Sequence, residues 1–336
     1  MESGIAEALT GLHLVTVQDR HGEPTQWEAE TRVTSPWVAA TTWTPFIICP
    51  RQRFRSRPIM GSVLLPVRPT SGTYPATVRS GGRHPYLDHP GPLAFAHRGG
   101  AEEHPENSLA AFAHAMALGY RYLETDAHLT ADGSVLAFHD DSLDRVTDRT
   151  GRIAECSAAQ VAEARIAGVE PIPTLDELLD AFPDAHINID PKDDRVVEPL
   201  VEVIERHGAL DRVCLGSFSD RRLTRCRRLL GPDLCTSAGP VATVRFRLGS
   251  LGLPVSPGLP PEGPDCLQVP VRQSGVPLVD RRFIDHAHRR GLQVHVWTIN
   301  EPDEMHHLLD LGVDGLMTDR PSVLRAVLID RDAWMG

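Results

Sequence analysis

Residues 97–140 open with His97-Arg98-Gly99-Gly100, carry Glu124-Thr125-Asp126 and close with His139-Asp140. Glu124 and Asp126 stand two apart in a run that reads as a strand, so both carboxylates point to one face. The flanking Tyr122, Leu123 and Leu129 argue that this strand is buried, where unpaired carboxylates are costly. Two oxygen donors on one rigid strand suit a hard divalent cation such as Mg²⁺ or Ca²⁺. The rival is an exposed acidic strand face. His97 and His139 each close an apolar run, and imidazole titrates near neutral pH, so the pair suits general acid–base chemistry. Either ring could instead ligate the cation, although hard cations prefer oxygen. Arg98 offers a planar fork that matches phosphate oxygens. Gly99-Gly100 would let backbone approach a ligand closely.

Downstream segments extend this set. In Asn188-Ile189-Asp190-Pro191-Lys192, residues 188, 190 and 192 share a strand face. Asp190 is a candidate third metal ligand, and Lys192 a point charge for phosphate. The alternative for 190–194 is a polar loop between strand and helix. Lys192 is the only lysine in the chain. Trp297, at the end of Val294-His295-Val296-Trp297, is a candidate apolar wall for a ligand, with core packing as an equal rival. Asn300 reads as a helix N-cap, and Thr318-Asp319-Arg320-Pro321 as a mainly structural helix start with Pro at the first position. In Glu106-Asn107-Ser108, either Asn107 or Ser108 suits a cap, and Glu106 could reach the metal.

These residues need strands to hold them. Strand-like runs fall at 93–97, 121–127, 135–138, 186–190, 212–217, 233–236, 266–269, 292–297 and 314–318. Helical patterns fall at 108–118, 157–163, 175–182, 196–207, 219–230, 240–248, 280–290, 302–311 and 321–329. Such alternation predicts a parallel α/β architecture of TIM-barrel size. Nine runs exceed eight staves. The runs 121–127 and 135–138 are joined by Thr130-Ala131-Asp132-Gly133, too short for a crossover helix, so one of the two is expected to be a hairpin excursion. The Pro/Gly-rich stretch 251–264 reads as a loop, and no internal repeat is visible.

Composition narrows the setting. The 336 residues are 41% hydrophobic, ample for a core, and carry a net charge of −11. That acidity argues against a general nucleic-acid binder. Residues 1–83 differ from the rest, with nine Arg against six acidic residues and no sustained periodicity. They read as a poorly ordered extension, with a basic interaction arm or an upstream-placed start as alternatives, ahead of a domain at 84–336. The six cysteines form no C-x-x-C pair. Cys214, Cys235 and Cys266 lie in apolar runs and are expected as buried free thiols, which suits a reducing compartment. No signal peptide is visible, and no stretch approaches the roughly 18–20 apolar residues of a membrane span. A cytoplasmic location is therefore expected, with no integral membrane segment.

Taken in order, His97-Arg98-Gly99, Pro105-Glu106-Asn107-Ser108, Glu124-x-Asp126, Thr130-x-Asp132-Gly133 with His139-Asp140, Asn188-x-Asp190-x-Lys192, Ser217-Phe218 and Trp297-Thr298-x-Asn300 resemble the glycerophosphodiester phosphodiesterase family. The resemblance covers roughly 93–330. It implies an irregular TIM (β/α)₈ barrel and hydrolysis of a small-molecule glycerophosphodiester to sn-glycerol 3-phosphate and an alcohol, with a divalent cation. Carried onto this chain, it implies Glu124, Asp126 and Asp190 as metal ligands and His97 and His139 as the acid–base pair. Arg98 and Lys192 would bind phosphate, and Trp297 would line the glycerol side. The family more often has Glu where this chain has Asp190, while related sphingomyelinase D-like enzymes have Asp. The insertion after the His-Asp pair, at 141–174, looks short and implies an open pocket. The rivals are a lysophospholipase D or sphingomyelinase D-like enzyme and a non-catalytic phosphate-binding module.

Overall fold

The computed structural model describes residues 84–253 and 263–336. The expectations for residues 1–83, and for most of the loop at 251–264, lie outside those residues.

Eight parallel strands form the centre: β1 (Leu93–Ala96), β2 (Tyr122–Leu129), β3 (His186–Pro191), β4 (Val213–Leu215), β5 (Cys235–Thr236), β6 (Cys266–Pro270), β7 (Gln293–Trp297) and β8 (Gly315–Thr318). They pair in the order β5-β4-β3-β2-β1-β8-β7-β6. A parallel bridge between Ser237 and Cys266 joins the two ends. The result is a TIM barrel. The ninth expected strand, Val135–Ala137, pairs antiparallel with β2 and is the hairpin excursion.

The nine expected helical patterns all appear as helices, and their starts follow local chemistry. Ser108, Ser157, Thr174, Ser219 and Asp280 each accept a backbone N–H from the first turn of the helix they precede. Pro240, Pro302 and Pro321 open their helices, where a missing N–H costs nothing. Outward strand residues such as Ile187, Ile189, Leu215, Val294 and Val296 join the core beneath these helices.

Inward residues form a second, separate cluster. Phe95, Tyr122, Cys214, Cys235, Cys266 and Met317 meet Tyr86 and Leu87 from the short 3₁₀ turn Pro85–Leu87. That turn closes the N-terminal mouth: Tyr122 Oη donates to Tyr86 O at 2.9 Å and Gln293 Nε2 to Leu87 O at 3.0 Å. The three barrel cysteines are buried and free, as expected.

The segment 141–174 is more than a short loop. It holds a 3₁₀ turn, a one-turn helix and a two-stranded hairpin, with a small core of its own around Leu136, Phe138, Leu143, Ile153 and Ile166.

Candidate active site

The C-terminal ends of β1, β2 and β3 gather the charged residues, as expected for this architecture. Asp126 and Asp190 are direct neighbours in the β2–β3 register, as are Glu124 and Asn188. All three residues are buried. Lys192 Nζ lies 2.7 Å from Asp126 Oδ1 and 2.9 Å from Asp190 Oδ2. Arg98 approaches from β1: its backbone N–H donates to Glu124 Oε2 at 3.1 Å, and its Nε is 3.4 Å from Asp126 Oδ2.

Electrostatics follow from this crowding. Burial, then the charge of Asp126, pushes Glu124 up to about 7 despite His97, Arg98 and Lys192. Burial works against Asp126 as well, but Lys192, His139 and Arg98 outweigh it and hold this carboxyl low. Burial raises Asp190, with Lys192 opposing. Lys192 is itself held protonated, because Asp190 and Asp126 outweigh its burial.

The two histidines border this cluster, His97 beside Glu124 and His139 within the field of Asp126, and each is held by its own carboxylate. His97 Nδ1 is 2.6 Å from Asp319 Oδ1, while its Nε2 is 3.8 Å from Glu124. His139 Nδ1 is 2.6 Å from Asp140 Oδ1. Each ring therefore keeps Nε2 for proton exchange with a ligand. Their titrations diverge. Burial opposes charge on His97, yet Glu124 and Asp319 raise it. Burial lowers His139, with Lys192 and Arg98 adding to the effect and Asp126 and Asp140 opposing.

Several residues take roles other than those expected. Asp319 is more than a helix-start residue, because it orients His97. Asn300 is not the N-cap, which is Glu301. It accepts from Asp319 N at 2.9 Å and donates to Asp319 Oδ2 at 2.9 Å, so it fixes the carboxylate behind His97. Asp319 follows β8, and its place at a strand C-terminus was the overlooked signal. Ser108 is the cap, and Asn107 instead donates to Asp126 Oδ2 at 3.3 Å while accepting from Thr125 at 2.7 Å. Glu106 pairs with Arg98 at 3.2 Å and Arg145 at 2.7 Å. Gly99 and Gly100 also serve packing. Both have positive φ, and a Cβ there would lie 2.7 Å from Ala111 Cβ and from Pro321 Cδ respectively. Trp297 is half-buried. It packs on the inward cluster and meets the ring of Phe218 edge-on at 5.7 Å, so wall and core readings both apply.

The donor set fits a hard divalent cation. Three carboxylates supply oxygen, and Asp190 Oδ1 is buried without a hydrogen-bond partner, a cost that a cation would offset. Among the described residues, however, no group of three His, Cys, Asp or Glu side chains stands converged as a finished metal shell. The Lys192 ammonium lies between two of the carboxylates instead.

A parallel barrel with buried carboxylates, two cations and two braced histidines at its C-terminal mouth defines the class: a TIM-barrel protein built for phosphate chemistry. Comparison with known proteins narrows this. Residues 97–323 match the glycerophosphoryl diester phosphodiesterase family, and the chain belongs to it. It is 42% identical over 253 residues, 75% of this chain and 96% of the relative, to the Mycobacterium tuberculosis protein named probable glycerophosphodiester phosphodiesterase 2. It is 29% identical to a human lysophospholipase D, over 70% of this chain and 85% of that protein. An Oleispira antarctica phosphodiesterase solved with the product sn-glycerol-3-phosphate superposes with a TM-score of 0.59 at 25% identity, covering 71% of this chain and 97% of that one.

Proposed function

We propose that residues 84–336 form a metal-dependent glycerophosphodiester phosphodiesterase that releases sn-glycerol 3-phosphate and an alcohol. The observation that carries this reading is the pair of carboxylate-braced histidines, His97–Asp319 and His139–Asp140, flanking the Glu124, Asp126 and Asp190 cluster. The product bound to the Oleispira antarctica protein supports the substrate class.

Glu124, Asp126 and Asp190 would hold the cation, which when bound supplies charge neutralisation for a phosphodiester. Arg98 and Lys192 are the proposed phosphate partners. Their fixed donors would meet charge that grows on the phosphoryl oxygens in the transition state. One histidine takes a proton from the nucleophile, water or a substrate hydroxyl, and the other protonates the departing alkoxide. Trp297 and Phe218 would pave the glycerol side. Five free cysteines among the described residues support a reducing, cytoplasmic setting. Among the same residues, no helix is long and apolar enough to cross a membrane.

The human relative motivates a second reading, lysophospholipase D activity on lipids with one acyl chain. One panel separates the two: glycerophosphocholine and lysophosphatidylcholine, each assayed with Mg²⁺, Ca²⁺, Mn²⁺ and chelator. Choline release from the first, lost in chelator and restored by a divalent cation, is expected. Release only from the second would favour the lipid reading, and full turnover in chelator would remove the metal from it.

A further inference from the structure

Exposed apolar side chains are not spread evenly over this barrel. Of the eleven large ones among the described residues, seven fall between Phe218 and Leu253. That stretch spans the adjacent helices Asp220–Leu230 and Pro240–Ser250. On the second helix, Val241, Val244 and Leu248 recur at i, i+3 and i+7, so they line one face, and Leu251 continues it. Val241 and Val244 are each more than half exposed. A stripe of this regularity pointing to water is unusual for a barrel helix, whose apolar face packs inward.

The same stretch reverses the charge of the chain. Residues 218–253 carry seven arginines and two aspartates, a local +5 in a protein of net −11. Asp194 pairs with Arg221 and Arg222, and Glu198 with Arg225. Arg228 and Arg245 have no ion-pair partner among the described residues. The groove beside the first helix has a volume of about 550 Å³ and includes Arg221, Arg225 and Arg228 in its wall. The two helix starts are tied together, since Val241 N donates to Asp220 Oδ2 at 2.9 Å. The upper end of the patch reaches the catalytic mouth through Phe218, which is 66% exposed and packs on Trp297.

We propose that this face docks on an anionic phospholipid surface, with Val241, Val244, Leu248 and Leu251 entering the interfacial layer and Arg228 and Arg245 meeting headgroup phosphates. Charge complementarity selects this occupant. An acidic protein is repelled by an anionic bilayer except where cations concentrate, and here they flank an apolar stripe. A second copy of the chain would set these unpaired arginines against one another in a two-fold contact.

Co-sedimentation of the full chain with vesicles tests the proposal. Vesicles of phosphatidylcholine alone are compared with an equimolar mixture of phosphatidylcholine and phosphatidylglycerol, at low and high salt. Binding to the mixed vesicles, weakened by salt, is expected. Arg228→Ala and Arg245→Ala should each lower partitioning about fivefold, and Val244→Asp with Leu248→Asp should lower it at least as much. These exposed sites should leave turnover of a soluble glycerophosphodiester unchanged, and His139→Ala should leave vesicle binding unchanged, which keeps this inference separate from the proposed activity. Wild-type protein that ignores both vesicles, or variants that bind as well as wild type, would overturn it. So would a wild-type dimer in sedimentation velocity that the Val244→Asp/Leu248→Asp variant converts to monomer, which would assign the face to a second copy.

Discussion

Along β2, Tyr122, Glu124 and Asp126 all point into the barrel. Tyr122 lies among aromatic rings and thiols, whereas Glu124 and Asp126 lie among cations. Two neighbouring strands repeat this progression: His186, Asn188 and Asp190 on β3, and Phe95 followed by His97 on and just after β1. At the N-terminal mouth, Tyr86 and Tyr122 pack edge-on at 5.4 Å and His186 meets Tyr122 at 4.8 Å. Burial acts on titratable groups at both mouths, with different outcomes. At the lower mouth little offsets it, and His186 and His295 are each pushed down to about 4, His295 against only a weak pull from Asp314. At the upper mouth, carboxylates and cations split the two histidines: Glu124 and Asp319 raise His97 against its burial, while His139 is lowered. The lower mouth is thus a neutral plug that holds the strands, and the upper mouth a polarised site poised to exchange protons.

The largest effect should come from the upper mouth. His97→Ala and His139→Ala should each reduce kcat about 10²–10⁴-fold, the range for positioned acid–base groups, with little change in the urea midpoint. Near-normal turnover in either variant would break the pairing of the two rings.

The lower mouth should respond to pH through stability. His295 is fully buried, its Nε2 is 3.0 Å from Gln293 Oε1, and its Nδ1 has no partner. Burial depresses it to about 4, weakly opposed by Asp314, against an ordinary value of 6.5. Below pH 6.5 the unfolded chain takes a proton that the folded ring refuses. Stability therefore falls as pH drops from 6.5 to about 4, and is unaffected by this ring above that window. The full drop from His295 alone is at most about 3 kcal/mol. Urea midpoints at pH 7 and pH 5 should differ less in His295→Gln than in wild type. Equal pH slopes would mean that the ring is solvated or paired in the folded protein.

The two mouths were not equally legible in the sequence. The strand carboxylates, both histidines, Arg98 and Lys192 were visible because period-two spacing and strand ends carry chemical meaning by themselves. The hairpin excursion at 135–137 was visible because four turn residues cannot hold a crossover. What stayed hidden depends on closure of the barrel. Asp319 lies 222 positions from the His97 it holds, and only the β1–β8 pairing brings them together. Tyr86 as a plug was equally hidden, since a 3₁₀ turn of three residues has no periodicity. Gly99 and Gly100 carry a second requirement that spacing does not reveal, because a Cβ at either would press on Ala111 or Pro321.

The braces behind the two histidines differ in kind, and this offers the finest test. Asp319 is fixed by a neutral amide, Asn300, in a half-buried setting. Asp140 is fixed by Arg145, whose Nε and Nη2 lie 2.5 and 3.0 Å from its two oxygens. The same guanidinium meets Glu106 at 2.9 and 2.7 Å, and Glu106 in turn meets Arg98. Arg145 is thus a positioning residue that links the His139 brace, through Glu106, to Arg98. It is about half exposed, so solvent screens its charge and its contribution is chiefly geometric. Arg145→Ala should lower kcat about tenfold, or about 1.4 kcal/mol. KM should rise only slightly, because Glu106 still pairs with Arg98. Arg145→Lys should not restore the rate, since a point charge cannot bridge two carboxylates with a rigid fork. Full recovery by lysine would reduce the bridge to simple charge balance. An effect confined to KM would place Arg145 with the substrate instead of behind His139.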